Sequence, residues 1–240
     1  MKDQYFGDIN DYRKYGLLRA IIGSSELRIL IAWMLTKDDG SSDGKFISYL
    51  EEPKKWSHYD ADLFQGMQNL LAGGHERQVS LIEKTDLLPG AEYFSGHVPD
   101  AISDRKVWFY SLTQKAHSKD FIFLDPDIGL EVKSKRYGHK GSSKYVYWHE
   151  VASLWSLGKS LLIYQHFTRE KRNDFIQRML VTLRKATPGS LVEAFSTSHV
   201  VFFMALQPNH HELNTAIVNS IQTRWKGQIC LQSATSGDRT

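Results

Sequence analysis

The sequence predicts an α/β protein: a three-layer α/β/α, Rossmann-like, mostly parallel sheet that ends in an antiparallel C-terminal strand pair. Three observations carry this. Short apolar runs at 28–35, 121–124 and 160–164 are bounded by polar turns, the pattern of strands buried on both faces. Helical stretches separate them, and strands alternating with helices imply a parallel sheet covered on both sides. Two further runs, 191–196 and 200–206, are divided by only three residues, too few for a crossover, so they pair antiparallel.

In chain order, Asp8 caps a first helix and Asp11, three residues on, mimics a capping box and favours the positive helix end. Tyr15, Leu18 and Ile22 keep helical spacing, and Gly23 ends the run. Residues 28–35 form the first strand, and 36–44 are a loop by composition. Residues 45–50 and 78–82 are short strand candidates. Between 51 and 58 the chain is charged, carries Pro53 and connects. Residues 60–71 are helical, stopped by Gly73 and Gly74; 87–96 are irregular, with no strand visible between Glu83 and Pro99; 99–119 are helical in stretches. The strand 121–124 runs into an acidic turn, followed by a basic, mobile segment at 132–143. A helix spans 144–157 and closes at Gly158, then comes the strand 160–164. Thr168 caps a long helix through Ala186, ended by Pro188 and Gly189. After the strand pair, Asn209 caps a last helix that Gly227 stops. Residues 1–231 read as one α/β domain and 232–240 as a polar, disordered tail.

Composition narrows the classes. The 240 residues are 41% hydrophobic and 24% charged, which excludes a disordered or fibrous chain. The one cysteine, Cys230, excludes an internal disulfide framework and a multi-cysteine zinc cluster, and fits a reducing compartment. Lys and Arg number 30 against 27 Asp and Glu, so charge alone neither demands nor forbids a nucleic-acid partner. The N-terminus lacks a signal-peptide apolar region, and the longest apolar run, 29–35, is far short of a membrane span. The expectation is a soluble cytoplasmic protein without a membrane partner; its oligomeric state is not legible.

Ligands of such sheets sit at the carboxyl ends of the strands. Directly after an apolar strand stands Asp125-Pro126-Asp127-Ile128-Gly129-Leu130-Glu131. Acids at alternate positions there can converge on one metal ion or one substrate amine. Residues 5–15 alternate polar and aromatic groups, among them Tyr5, Arg13 and Lys14. Gln165 and His166, with Arg169, follow another strand and would share its edge with Asp125. Gly40, Gly44 and Lys45 suggest a phosphate-cradling loop, although Phe46 follows Lys45 where a P-loop has Ser or Thr. Lys133, Lys135, Arg136, His139, Lys140 and Lys144 interleave with Tyr137, Tyr145, Tyr147 and Trp148, a mixture that suits phosphates and stacked bases. His210 and His211 are not spaced to hold one metal from a single helical face.

Over residues 120–207 the order of elements resembles that of the class I S-adenosylmethionine-dependent methyltransferases: a strand with an acidic Pro motif, a helix, a strand, a helix and an antiparallel pair. The nearest type is the ribosomal RNA adenine methyltransferases whose chain begins with a polar aromatic segment, the place of residues 5–19 here. Asp125-Pro126 matches the start of their Asp-Pro-Pro-Tyr motif; Asp127 and Ile128 stand where it has its second Pro and its Tyr. Thr36-Lys37-Asp38-Asp39 replaces a Gly-x-Gly turn after the first strand. The resemblance implies an enzyme acting on a nucleic acid, with Asp125 accepting a hydrogen bond from the target amine and Asp127 and His166 beside it. S-adenosylmethionine would lie against residues 33–40, with Asp38, Glu83 and Lys14 as contacts. Tyr5, Arg13, Lys144 and Arg169 would hold substrate. An alternative is a Mg-dependent nuclease or phosphohydrolase with Asp125, Asp127 and Glu131 as metal ligands, joined by Asp8 and Asp11 if the first helix crosses the sheet edge. A second alternative is a non-catalytic binding module on the same scaffold.

Overall fold

The computed structural model of the chain describes residues 1–37, 44, 46–72 and 76–233. Its centre is a seven-stranded sheet built from β1 (Ile29–Ala32), β2 (Glu92–Phe94), β3 (Phe121–Leu124), β6 (Ser160–His166), β7 (Leu191–Ser196), β8 (Val200–Leu206) and β9 (Cys230–Ser233). Strands β4 (Gly129–Leu130) and β5 (Tyr145–Val146) pair separately. The sheet order is β2-β1-β3-β6-β8-β7-β9. β2, β1, β3 and β6 are parallel; β8 lies antiparallel between β6 and β7, and β9 runs antiparallel to β7.

Every residue of β1 and β3 is buried, because helices cover both faces. One face carries Ile29, Ile31, Phe121, Phe123, Leu162 and Phe202. It packs on α1 (Ile9–Gly23), α3 (Ala61–Ala72) and α8 (Leu213–Arg224). The intervening residues Leu30, Ala32, Ile122, Leu124 and Ile163 face α5 (Ile102–Ala116), α6 (Trp148–Ser156) and α7 (Arg172–Ala186). This alternation along a doubly covered sheet gives the three-layer, Rossmann-like α/β arrangement.

Helix α1 begins at Asp8, whose Oδ1 accepts from the backbone N–H of Asn10 and Asp11 at 2.8 and 2.9 Å. Asp11 does not close the capping box. Its Oδ2 accepts from Gly7 N instead, at 2.9 Å. Almost the whole of α1 is buried, Arg13 and Lys14 included, since it is wedged between the sheet, α3 and α8. Asp60 starts α3, its Oδ1 accepting from Leu63 N at 3.0 Å.

Several expected elements differ. Residues 78–82 do not form a strand; α4 (Ser80–Glu83) is a helical turn, and the missing strand is β2, a three-residue edge strand with no apolar run to announce it. Within 45–50 the chain enters a 3₁₀ turn, Ser48–Glu51, followed by the short helix α2 (Pro53–Trp56). Helix α6 starts four residues late because Tyr145 and Val146 pair with Gly129 and Leu130. Helix α7 starts at Arg172 with Lys171, not Thr168, as its N-cap. Asn209 lies in a 3₁₀ turn, Pro208–His210, ahead of α8. Residues 132–143 form an organised turn: Asp100 accepts from Gly141 N, Ser143 N and Ser142 Oγ at 2.8, 2.7 and 3.2 Å. Residues 232 and 233 belong to β9 and not to a tail, so three antiparallel strands close the sheet. Residues 234–240, Gly73 and Gly74 lie outside the described residues. No helix among the described residues is long and apolar enough to cross a membrane.

Candidate functional site at the carboxyl edge of the sheet

The sheet order reverses at β1, whose neighbours are β2 on one side and β3 on the other. Such a switch point leaves a crevice at the carboxyl ends of the strands, where open α/β sheets bind ligands. Asp125 follows β3 directly, and its N–H donates to Ala32 O at 2.9 Å. Past β1, Met34 adopts a left-handed backbone with φ 47°, a conformation that side chains disfavour. Between these strand ends and α1 lies a cavity of about 290 Å³. Asp8, Asp11, Lys14, Asp125, Asp127 and Tyr164 form much of its polar wall, and Met1, Tyr5, Phe46, His166 and His199 are among the other residues that line it.

Lys14 organises the wall. Its Nζ donates to Asp11 Oδ1 at 2.7 Å and to Asp125 Oδ2 at 2.8 Å, and all three side chains are at most 3% exposed. It also stands 5.3 Å from the centroid of the Tyr164 ring. Burial pulls the Lys14 ammonium down, but the two carboxylates outweigh it and hold the group above its ordinary range. Burial lifts the Asp125 carboxyl above its ordinary range against the pull of Lys14. Burial and the neighbouring Asp11 push Asp8 up to about 6. Tyr15, which donates to Asp11 Oδ2 at 3.2 Å, and Tyr164 are both held protonated by burial.

The Met1 ammonium enters the crevice. It donates to Met34 O at 3.3 Å and to Asp125 O at 3.1 Å, and burial lowers it to about 6. Asp127 pairs through Oδ2 with Lys144 at 3.3 Å and Lys2 at 3.7 Å. Its Oδ1 is buried and has no hydrogen-bond partner among the described residues. At the end of β6, Tyr164 Oη and His166 Nε2 are 3.2 Å apart. Gly129 is required where it stands: its φ is 146°, and a Cβ there would lie 2.3 Å from Gln165 Oε1. That amide accepts from Leu130 N at 2.7 Å and donates to His166 O at 2.7 Å, so it ties the acidic turn to β6.

Of the residues singled out in the sequence, Asp125, Asp127, His166, Lys14 and Tyr5 come together around this cavity. Lys144 reaches it through Asp127. Asp8 and Asp11 join them because α1 crosses the strand ends. Glu131 does not join: its Oε2 accepts from Trp148 N at 3.0 Å, and it lines a different cavity. The set Asp125, Asp127 and Glu131 therefore does not converge on a metal, and among the described residues no three His, Cys, Asp or Glu side chains do. The cations on Asp125 and Asp127 already take the place a divalent ion would need. Arg13 turns away from the cavity and gives Nε and Nη2 to Gln228 Oε1 at 3.1 and 2.6 Å. Arg169 is exposed in the loop before α7 and does not line the cavity. Glu83 stands beside Trp33 and Ser95, the residues that follow β1 and β2, and its Oε1 accepts from both at 2.8 and 2.5 Å. Asp38, Gly40 and Lys45 lie outside the described residues. Sequence reading missed Met1, Tyr164, Phe46 and His199. Tyr164 ends an apolar strand, and position next to Gln165-His166 was its only signal; nothing local marked the others.

No family model matches the chain, and no curated protein matches it. A solved structure, protein LPL1258 from Legionella pneumophila str. Philadelphia 1, carried under the family model DUF519, aligns over 96% of this chain and 98% of its own with a TM-score of 0.45 and 9% sequence identity.

Proposed function

We propose that the protein is a methyltransferase-like enzyme that acts on an exocyclic amine of a nucleic-acid base, with Asp125 at the reacting amine. The observation that carries this reading is the placement of Asp125-Pro126 at the carboxyl end of β3, beside the switch point and on the wall of a cavity with aromatic members. The strand arrangement β6-β8-β7, with one antiparallel strand slotted between two others, agrees with the resemblance over residues 120–207.

The residues present fit S-adenosylmethionine at its methionyl end. The carbonyl oxygens of Met34 and Asp125 suit an amino group; here the amino nitrogen of Met1 donates to both, so a cofactor amino group would take that place as Met1 moves aside. Glu83, beside the residues that follow β1 and β2 and outside the cavity wall, is the acid this reading assigns to a ribose hydroxyl. When bound, the cofactor supplies an electrophilic methyl group. Asp125 accepts a hydrogen bond from the amine and orients its lone pair. Lys14 holds that carboxylate in place and favours its ionised form against burial, and Asp11 anchors Lys14. The buried Asp127 Oδ1 offers a second acceptor to the same base edge. Tyr5, Phe46 and Tyr164 give the cavity faces on which a base can stack.

The test is calorimetric titration with S-adenosylmethionine, followed by methyl transfer from labelled cofactor to single-stranded RNA and DNA. Micromolar cofactor binding and transfer that falls roughly 10²–10³-fold in Asp125→Asn support the reading. No cofactor heat and no transfer sink it, and nucleic-acid binding that survives alone points to the binding-module alternative.

A further inference from the structure

Gln165 and His166 are consecutive on β6 and so point to opposite faces of the sheet. His166 lines the cavity beside Asp125. Gln165 lines another, of about 510 Å³, on the face covered by α7. Its wall also contains Trp148, Phe175, Glu131, Lys133 and Arg178. The volume falls in the range of small-molecule sites. Phe175 is a buried floor, and Trp148, half-buried at the start of α6, leaves part of its ring to the opening. Arg178 is engaged by Glu170 at 2.6 Å, so Lys133 is the cation that enters the cavity without an ion pair.

Lys133 also begins a run of charge. From Val132 to His149 there is no acidic residue, and Lys133, Lys135, Arg136 and Lys140 are exposed and unpaired among the described residues. Ser134, Lys135, Arg136, His139 and Lys140 surround an open hollow of about 400 Å³. The run ends at Lys144, whose Nζ touches Asp127 in the first cavity. Cations of one chain segment therefore reach both cavities, Lys133 directly and Lys144 through Asp127.

We propose that the second cavity binds a further nucleotide of a single-stranded nucleic acid whose reacting base enters the first, its base stacked on Trp148 and its backbone phosphate on Lys133, with neighbouring phosphates along the 135–140 turn. An aromatic face beside unpaired cations is what single strands use, whereas a duplex keeps its bases stacked on each other and reads mainly as charge. The inference rests on the reading of the protein as one that acts on nucleic acid, and it names the form of that substrate.

The experiment is fluorescence anisotropy of the full chain with a short labelled oligonucleotide, single-stranded and as the duplex of the same sequence. The variants are Trp148→Ala, Trp148→Phe and Lys133→Ala, each checked for an intact fold by near-ultraviolet circular dichroism. Expected is a preference for the single strand, an approximately tenfold or larger loss in Trp148→Ala, and retention in Trp148→Phe, which keeps a stacking face. Lys133→Ala should lower the dependence on salt by about one phosphate contact. Equal binding of duplex and single strand, or a folded Trp148→Ala that binds as well as the parent, overturns the proposal. Single-strand binding that depends on Trp148 without any methyl transfer leaves this inference standing and removes the preceding one. Methyl transfer that is indifferent to Trp148 does the reverse.

Discussion

Lys14 holds its charge out of water between Asp11 and Asp125, residues that the chain brings together from positions 111 apart in the second case. Removing one partner of such a cluster leaves the others buried and uncompensated. Lys14→Met should therefore lower stability by roughly 3–5 kcal/mol in urea denaturation, and adding Asp125→Asn should recover part of the loss. A Lys14→Met protein as stable as the parent would show that the cluster is open to water. Asp8 makes a second prediction. Its folded-state pKa is raised from 3.8 to about 6. As pH falls from about 6 toward 4, the folded state takes up the proton first, so this group contributes stability at low pH and withdraws it as pH rises through 6. Asp8→Asn keeps an N-capping side chain without the charge. It should be more stable than the parent at pH 7, by up to about 2–3 kcal/mol, and nearly equal to it at pH 4. An advantage that grows on acidification would contradict the sign. The acids of the site were legible because they follow a strand or precede a helix. The partners of Lys14 and the turning away of Arg13 were not, since no local spacing encodes contacts made across the whole chain.

At the level of elements, the buried parallel strands were the readable part. β1 and β3 are apolar through their length, and β6 from Leu161 to Tyr164, because both faces are covered, and that composition survives without knowledge of the fold. β2 and β9 sit at the sheet edges, are short and partly exposed, and carry no such run. Helix α1 hid its importance for a related reason. Buried on nearly all sides, it has no amphipathic stripe, and nothing local shows that its charges turn inward. The acidic turn after β3 depends on Gly129, where a Cβ would collide with the Gln165 amide. Gly129→Ala should destabilise the protein by about 1–3 kcal/mol and disturb the Asp125–Asp127 segment, seen as a loss of ligand binding beyond the loss of stability. Combining it with Gln165→Ala should remove the clash but leave the backbone strain, so rescue ought to be partial. Full rescue would mean that the positive φ carries little of the effect.

Across the whole molecule, the site is an agreement between distant parts. The sheet supplies Asp125, Asp127 and His166, and the first helix supplies Asp8, Asp11 and Lys14. What seats that helix is the far end of the chain. Gly16 packs so tightly on Trp225 that a Cβ would lie 1.9 Å from its ring, and Arg13 reaches Gln228. Gly16→Ala should thus push α1 off α8 and cost about 1–3 kcal/mol, with weaker ligand binding as the second readout. A neutral effect in both would show that α1 is not positioned by Trp225. The topology itself was legible from the alternation of strands and helices, while this closure was not, because a glycine in a helix gives no hint of which aromatic ring it admits. The closure also sets how far along the chain folding must reach. Arg13 and Gln228 meet across 215 positions. So long a loop costs entropy before its contact is gained, and the first helix is seated by the least local contacts that the fold makes use of here.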